Sequence, residues 1–229
     1  SKLLPNVTPA FFYIDDAPTV TKRRFVDSDF EKLFEVYFFN EEPLPEGVED
    51  AVCAWLEANL EKFDVVIVPD FGNGFISQKM IEVLCRKALF LAVNTQLNSG
   101  NRGHHVISRY PRADFASINE PELRLAAHNR HAPIELVAET VGQKINSDYI
   151  AITRGIKGVM FRDRKLGAVH YVPALSTKVV DRIGAGDAFL ALAGLCIGGG
   201  LPSVVAAYVG SVSAALEVQI VGNREAVGS

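Results

Sequence analysis

The stretch Val179-Val-Asp-Arg-Ile-Gly-Ala-Gly-Asp-Ala-Phe189 decides the fold. It is typical of a strand end that runs through a Gly-Ala-Gly turn into a long apolar helix. The first backbone N–H groups of such a helix have no partner within it, and they carry partial positive charge. Gly184 and Gly186 let a ligand approach the backbone closely. The turn therefore predicts a site for an anion, and a phosphate above all.

The position of Asp187 in the same turn needs an explanation, because a carboxylate repels a bound phosphate. We interpret Asp187 as a base that accepts the proton of a hydroxyl group, since phosphoryl transfer asks little of its base and an ordinary ionised aspartate suffices. The N–H groups of Gly184, Ala185 and Gly186 would then stabilise charge on the transferring group. The alternative is that Asp187 only caps the helix and complements its dipole.

The chain around this turn alternates between helices and short apolar strands from Pro43 onward. Apolar strands that alternate with helices are typical of a parallel sheet that is covered on both faces. The predicted helices are 48–63, a helix that runs from its cap at Ser77 to Lys87, one that opens at Pro121, 134–145, and a final pair after Gly184. The predicted strands are 64–68, 89–93, 114–118 and 149–153, with a hairpin over 158–162 and 168–172.

The first forty residues have a different pattern. Three runs rich in aromatic and β-branched residues, separated by Asp, Pro and Ser, predict antiparallel strands. These runs span 10–14, 19–26 and 33–39. We therefore predict two regions, β-rich lid strands over 1–42 and an α/β nucleotide-binding core over 43–229.

The composition limits the functional class. The chain has 229 residues, with 23 Lys and Arg against 27 Asp and Glu, and its net charge is −4. Nucleic-acid binding is not expected, because phosphate neutralisation needs a basic face. The three cysteines, which lie in apolar helical patterns without CxxC spacing, indicate core thiols and a reducing cytoplasmic location. They are Cys53, Cys85 and Cys196.

No membrane span is predicted, although no charged residue lies between Asp187 and Glu217. The segment Gly198-Gly-Gly-Leu-Pro-Ser203 interrupts this stretch, whereas a span needs about 20 continuous apolar residues. The stretch is therefore interpreted as two buried helices, with Pro202 in the first turn of the second. The first residues also lack the basic and then apolar pattern of a signal peptide.

The segment 181–187 resembles the motif Asp-Thr-x-Gly-Ala-Gly-Asp of the ribokinase/PfkB carbohydrate kinase family. In that family the second Asp is the catalytic base and the Gly-Ala-Gly turn is the anion hole. The resemblance implies these roles for Asp187 and for residues 184–186. It also places Asp181 and Arg182 at the nucleotide. Arg182 stands where the family has Thr, a departure that would alter the nucleotide or monovalent-cation surroundings.

Asn119-Glu-Pro-Glu122 follows a predicted strand and is similar to the family's Asn-x-x-Glu, which helps to position magnesium and phosphate. The resemblance implies that role for Asn119 and Glu122. Mg²⁺ prefers oxygen ligands and keeps several waters, so one amide and one carboxylate suit it. The alternative is that Asn119 starts a helix and Glu122 complements the N-terminus of that helix.

Thr153-Arg-Gly-Ile-Lys-Gly158 lies at another strand end and is similar to the family's nucleotide loop, Thr-x-Gly-x-x-Gly. The resemblance implies that Thr153 and Gly155 meet the phosphates of ATP and that Gly158 belongs to the same nucleotide-binding loop. An ordinary glycine-rich turn is the alternative.

Two upstream segments, 18–26 and 65–74, resemble the heptose-phosphate kinase branch of the family. Lys22 and Arg24 share one face of a lid strand, which makes them candidates for contact with a substrate phosphate. Solvated charges at a strand edge are the alternative. Asp70 ends a strand and is a candidate for contact with the sugar.

Two differences from that branch remove charge. Asn73 stands where the branch usually has Lys, and Asn94-Thr-Gln96 stands where it has a turn similar to Asp-Pro-Lys. The family's first strand and its Gly-Gly-x-x-x-Asn sugar segment have no counterpart, so the N-terminal portion of the family fold is expected to be missing.

The resemblance implies a ribokinase-like three-layer α/β/α sandwich with a mainly parallel sheet and a small β lid. It implies a kinase that transfers the γ-phosphoryl group of ATP to a hydroxyl of a sugar or sugar phosphate. Mg²⁺ is the expected cofactor, and a monovalent cation is a further candidate. The aromatic edges of the lid strands predict a homodimer.

Two other functions stay open. The same fold could serve as a degenerate module that binds a nucleotide or assembles without catalysis. Gly72-Asn-Gly-Phe-Ile-Ser77 also approximates the dinucleotide fingerprint G-x-G-x-x-G, which would indicate an NAD(P)-binding oxidoreductase. In that segment, however, the third glycine is replaced by Ser77, and Asn94 stands where the ribose-binding acid would be. No P-loop motif occurs.

Overall fold

The computed structural model describes residues 6–27, 32–40, 42–97, 105–176, 180–181 and 183–220. Its strands are β1 (Thr21–Val26), β2 (Lys32–Phe38), β3 (Val66–Asp70), β4 (Leu91–Thr95), β5 (Phe115–Asn119), β6 (Tyr149–Thr153), β7 (Val159–Asp163) and β8 (Ala168–Val172). Its helices are α1 (Glu46–Asn59), α2 (Gln78–Lys87), α3 (Glu120–Ala126), α4 (Ile134–Lys144), α5 (Ala185–Gly198) and α6 (Ser203–Glu217).

Six strands form the main sheet, in the order β3-β4-β5-β6-β7-β8. The pairs from β3 to β6 are parallel, whereas β6, β7 and β8 pair antiparallel. Leu91, Ala92 and Val93 in β4 are all completely buried. Burial of successive residues requires cover on both faces of the sheet, as the apolar strands predict.

The alternation of side chains along β4 separates two cores. Leu91 and Val93 pack with residues of α1, α2, α3 and α4 on one face of the sheet. Ala92 packs on the other face with α5 and α6, including Phe189 and Ala193. The three layers confirm the predicted α/β/α sandwich.

The two helices after the glycine turn approach each other very closely. A Cβ atom added to Gly210 in α6 would lie 2.8 Å from Phe189 Cε2 and 2.9 Å from Ala193 Cβ. Glycine at this position therefore lets α6 pack against α5, the helix that carries Asp187 in its first turn.

The lid is a two-stranded antiparallel sheet in which Lys22 lies opposite Tyr37 and Arg24 opposite Glu35. On its other face the rings of Phe25 and Phe34 stack with their centroids 4.4 Å apart. These two phenylalanines are exposed, together with Val36 and Phe38 on the same face. Both strands lie within the predicted lid region.

Several details of the prediction are wrong. The strands predicted at 64–68 and 89–93 lie two residues further along the chain, as β3 and β4. Residues 10–14 form no strand, because Phe12 packs edge-on against Trp55 of α1 instead of joining a described strand. Pro202 lies immediately before α6 rather than in its first turn. The three cysteines are free, and none of the described helices is long and apolar enough to cross a bilayer.

Gly210→Ala is expected to destabilise the protein, because the new methyl group overlaps Phe189 and Ala193. Overpacking of this kind costs about 1–3 kcal/mol. Urea unfolding followed by circular dichroism measures the change in the free energy of unfolding. Gly142→Ala in α4 is the matched control, since a Cβ there meets nothing within 4 Å. The control is expected to stabilise its helix by roughly 0.5–1 kcal/mol, and equal losses in both variants would contradict the close approach of α5 and α6.

Candidate active site

The carboxyl ends of the parallel strands open into one cavity of about 1180 Å³. Asp70, Asn94, Asn119 and Thr153 lie at the ends of β3 to β6, and all four line this cavity. The edge where parallel strands end is the usual ligand site of open α/β sheets. The first turn of α5 and the lid strand β1 complete the walls.

The glycine turn leaves backbone donors at the cavity. Gly184 precedes α5 with φ +85°, a left-handed conformation that favours glycine. The N–H of Ala188 makes the first bond within the helix, to Gly184 O at 2.8 Å. The preceding N–H groups, of Ala185, Gly186 and Asp187, therefore have no carbonyl partner within the helix, and no described side chain caps it. Residues 184–187 all line the cavity, so these donors can meet an anion.

Asp187 is half-buried at the same wall, and its Oδ1 accepts a hydrogen bond from Gln96 Nε2 at 3.0 Å. Burial raises the pKa of this carboxyl group, whereas the Gln96 bond and the positive charge of Lys22 oppose that rise. The bond to Gln96 comes from across the cavity rather than from the helix end. Asp187 is therefore held by a partner from another part of the cavity wall, and its role as the base stays a prediction.

Gln96 is the site residue that sequence reasoning missed. Its segment, Asn94-Thr-Gln96, stands out because it replaces a charged turn of the heptose-phosphate kinase branch. That difference marked the position, but it did not reveal a contact with Asp187, which lies far away in the chain.

Asn119 and Glu122 form a capping box at the start of α3. Asn119 Oδ1 accepts from Glu122 N at 2.8 Å, and Glu122 Oε2 accepts from Asn119 N at 2.9 Å. Glu122 Oε1 also accepts from Leu97 N at 3.2 Å. The helix-start alternative therefore describes this geometry correctly. Both residues also line the cavity, so their role at phosphate and metal stays a prediction.

Glu122 and Asp187 are two carboxylates close enough for their charges to interact, and a cation between them would be favoured. Burial raises the pKa of Glu122, and the charge of Asp187 raises it further. No described cluster of three His, Cys, Asp or Glu side chains could hold a metal ion. Mg²⁺ needs only one or two carboxylates when phosphates and waters supply its other ligands. The oxygen donors of Asn119 and Glu122 therefore fit Mg²⁺.

The predicted nucleotide loop closes another part of the wall. Thr153, Gly155 and Gly158 all line the cavity, as the resemblance implies. Gly158 has φ +77°, and a Cβ atom there would lie 2.0 Å from Val172 O. This close approach to the end of β8 explains the glycine. Contact with ATP stays a prediction for these residues.

Lys22 and Arg24 line the cavity from the lid, but they differ in their partners. Arg24 Nε lies 3.1 Å from Glu35 Oε2, so its charge is paired. Lys22 Nζ lies 4.8 Å from the ring centroid of Phe71 and 5.3 Å from that of Tyr37. Burial and the nearby Arg24 lower the pKa of Lys22.

Asp70 lines the cavity but is buried in a network of its own. Its Oδ2 accepts from Tyr110 Oη at 2.9 Å and lies 3.3 Å from Arg109 Nη1. His105 Nε2 lies 3.2 Å from Oδ1, which also accepts from Gly72 N at the same distance. These contacts hold the end of β3 in place, and contact with a sugar stays a prediction.

Asp181 is not among the described residues that line the cavity. Its Oδ1 accepts from Ile183 N at 3.0 Å, a bond that shapes the approach to the glycine turn. The predicted contact of Asp181 with the nucleotide is untested. Arg182 lies outside the described residues.

Solved structures share this architecture. Ribokinase from Thermotoga maritima matches with a TM-score of 0.70 at 18% identity, over 90% of this chain and 65% of its own. Arabidopsis thaliana ribokinase, whose structure holds ribose and ATP, matches with a TM-score of 0.66 at 16% identity, over 94% of this chain and 69% of its own. The chain therefore has the ribokinase-like fold.

A family model described as pfkB family carbohydrate kinase matches residues 6–227, and the chain belongs to this family. The bifunctional protein HldE of Wolinella succinogenes is 24% identical over 91% of the chain. The match spans 43% of that relative, so the chain covers less than half the length of the protein it resembles. The resemblance to the family and to its heptose-phosphate branch is thereby confirmed.

Gln96→Met is expected to raise the pKa of Asp187, because it removes a hydrogen bond that stabilises the ionised carboxylate. Methionine has a similar length and no donor. The titration of the Asp187 carboxyl carbon, followed by NMR in the ligand-free protein, measures the change. Gln143→Met on the exposed surface of α4 is the control and is expected to leave the titration unchanged. An unchanged Asp187 titration in Gln96→Met would contradict the contact.

Proposed function

We propose that this chain is a carbohydrate kinase that transfers the γ-phosphoryl group of ATP to a hydroxyl of a sugar or sugar phosphate. One observation carries the proposal. Asp187 and the unpaired N–H groups that begin α5 line the same cavity. A base beside an anion site is the arrangement that phosphoryl transfer to an alcohol requires.

In this reaction the acceptor hydroxyl loses its proton to Asp187 while its oxygen bonds to the γ-phosphorus. The bond between that phosphorus and the bridging oxygen breaks, and ADP leaves. Gln96 holds the carboxylate in place through Oδ1, which leaves Oδ2 to receive the proton. The N–H groups of Gly184, Ala185 and Gly186, the predicted anion hole, together with that of Asp187, would donate to the phosphoryl oxygens, where the positive end of the helix dipole adds to their effect.

Charge in the cavity supports the placement of the other components. Lys22 lies close enough to Asp187 to affect its pKa, and we assign it to the phosphoryl group in transit. Thr153, Gly155 and Gly158 would contact the nucleotide from the opposite wall. Asn119 and Glu122 would hold Mg²⁺, which supplies positive charge to the phosphates when bound. A monovalent cation is a further proposed cofactor that rests on the family resemblance.

The lid supports two further proposals. Closure of β1 and β2 over the acceptor would exclude water and so limit hydrolysis of ATP. The outer face of the lid exposes Phe25, Phe34, Val36 and Phe38. A second copy of the chain would cover these side chains, and we propose a homodimer through this face.

Asp187→Asn is expected to lower kcat by roughly 10² to 10⁴-fold, because the amide cannot accept the proton. Binding of ATP is expected to persist. The pKa of Asp187 is raised in the folded state, so its ionised form costs stability at pH 7, and the neutral variant is expected to have a higher Tm. The measurements are ADP release with a panel of sugars and sugar phosphates, nucleotide binding, and thermal unfolding.

Asp64→Asn is the control for this experiment, since Asp64 is exposed and lies outside the cavity lining. It is expected to change neither kcat nor Tm. Full sugar-dependent turnover in Asp187→Asn would overturn the assignment of the base. Nucleotide binding without turnover in the unaltered chain would favour the degenerate module instead.

Phe34→Lys is expected to convert the homodimer to a monomer. Phe34 is 54% exposed and stacks on Phe25, and a second charge on this face, in addition to Arg23, would have to be buried against the partner. Light scattering coupled to size-exclusion chromatography measures the mass. Leu136→Lys on α4, where the side chain is 57% exposed, is the control and is expected to leave the dimer intact. A dimer that survives Phe34→Lys would place the interface elsewhere.

A further inference from the structure

Two amide side chains in the cavity keep a buried carbonyl oxygen without a partner. They are Asn73 and Asn94, whose Oδ1 atoms accept no hydrogen bond from any described residue. Both residues line the cavity that contains Asp187. A buried acceptor without a donor is unfavourable, so an incoming ligand that supplies the donor binds more tightly.

The orientation of Asn94 is fixed by its other end. Asn94 Nδ2 donates to Ser117 O on the neighbouring strand β5 at 2.7 Å. Because a carbonyl oxygen cannot donate, the amide cannot be reversed without losing this bond. Asn94 is 6% exposed, so bulk water does not readily satisfy Oδ1. The residue therefore presents a fixed acceptor.

The described cations of the lid do not supply the missing donor. Arg24 is held by Glu35, and the Lys22 ammonium group lies over the rings of Tyr37 and Phe71. A phosphate group would not satisfy these oxygens either, because its own oxygens are negatively charged acceptors. A hydroxyl group has the donor that an amide oxygen needs.

We propose that Asn73 and Asn94 form a subsite for the hydroxyl groups of an uncharged, polyhydroxylated acceptor. The subsite discriminates against an acceptor that carries a phosphate at this end. The inference rests on the proposed kinase function and narrows its acceptor to a neutral sugar or polyol. Asn73 and Asn94 are specificity residues, and Asp187 remains the base.

Calorimetry with neutral sugars of five to seven carbons, each compared with its terminal phosphate ester, tests the subsite. The titrations are made with a non-hydrolysable ATP analogue present. The wild-type chain is expected to bind one or more neutral sugars at least tenfold more tightly than their esters. Asn73→Lys is expected to reduce this ratio about tenfold, because it adds a cation to the subsite. Gln143→Lys adds the same charge on the far surface of α4 and is expected to leave the ratio unchanged.

Asn94→Ala removes the acceptor oxygen together with the Nδ2 donor to Ser117 O. Asn94→Ala is expected to weaken binding of the neutral sugar about tenfold and to leave binding of the ATP analogue unchanged. Loss of both ligands together with a lowered Tm in Asn94→Ala shows misfolding, and Asn73→Lys then decides the question alone.

The outcomes separate this subsite from the kinase function. A preference for neutral sugars without phosphoryl transfer supports the subsite and overturns the kinase. Phosphoryl transfer with equal or tighter binding of the esters overturns the subsite and supports the kinase. The subsite is also overturned if no neutral sugar binds, if Asn73→Lys leaves the ratio unchanged, or if a folded Asn94→Ala variant binds the neutral sugar as tightly as the wild-type chain.

Discussion

Three backbone N–H groups that α5 cannot satisfy by itself are the constraint on which this cavity depends. The left-handed Gly184 starts the helix without a side-chain cap from the described residues, so these donors face the cavity. The positive potential of these N–H groups explains why a carboxylate, whose ionised form is disfavoured by burial, can lie beside them. Asp187 occupies that position, and its unfavourable burial is offset by Gln96 and by the charge of Lys22.

The packing of the last two helices makes this helix start rigid. The glycine at position 210 brings α6 against Phe189, two residues after Asp187. On the other side, Ala92 of β4 packs in the same core. The donors and the base are thus fixed to the sheet itself, whereas the cations reach the cavity from the exposed two-stranded lid. In the proposed function, this division separates backbone donors that are already in place from a lid that would move to admit an acceptor.

The fold was largely predictable because its signals are local. Apolar strands need cover on both faces, as β4 has over Leu91–Thr95, two residues beyond the predicted 89–93. Ser77 caps α2 through Met80 N as predicted. The prediction of a strand over 10–14 is wrong because aromatic residues favour strands on average, whereas Phe12 packs against α1. The strand pattern contained no information about that tertiary partner.

The site was predictable where a backbone feature marks it, as at 184–187, and not where contacts join distant segments. Gln96 contacts Asp187 only because β4 ends and α5 begins at the same edge of the sheet. The sequence pattern also presented capping and metal binding by Asn119 and Glu122 as rival interpretations. The capping box shows that they are compatible, since the bonds that start α3 also hold both side chains at the cavity wall.

Asn73 and Asn94 line the cavity with unsatisfied amide oxygens, and we propose that these oxygens meet the acceptor. Glu122 and Asp187 are two carboxylates whose charges repel each other, and Arg24 is already paired with Glu35. Lys22 therefore provides the unpaired positive charge among the described lid residues that line the cavity. One lysine can balance a phosphoryl group in transit, but the described residues that line the cavity offer no further unpaired cation for a second permanent phosphate on the acceptor. The charge balance and the unsatisfied amide oxygens thus favour the same uncharged acceptor for independent physical reasons.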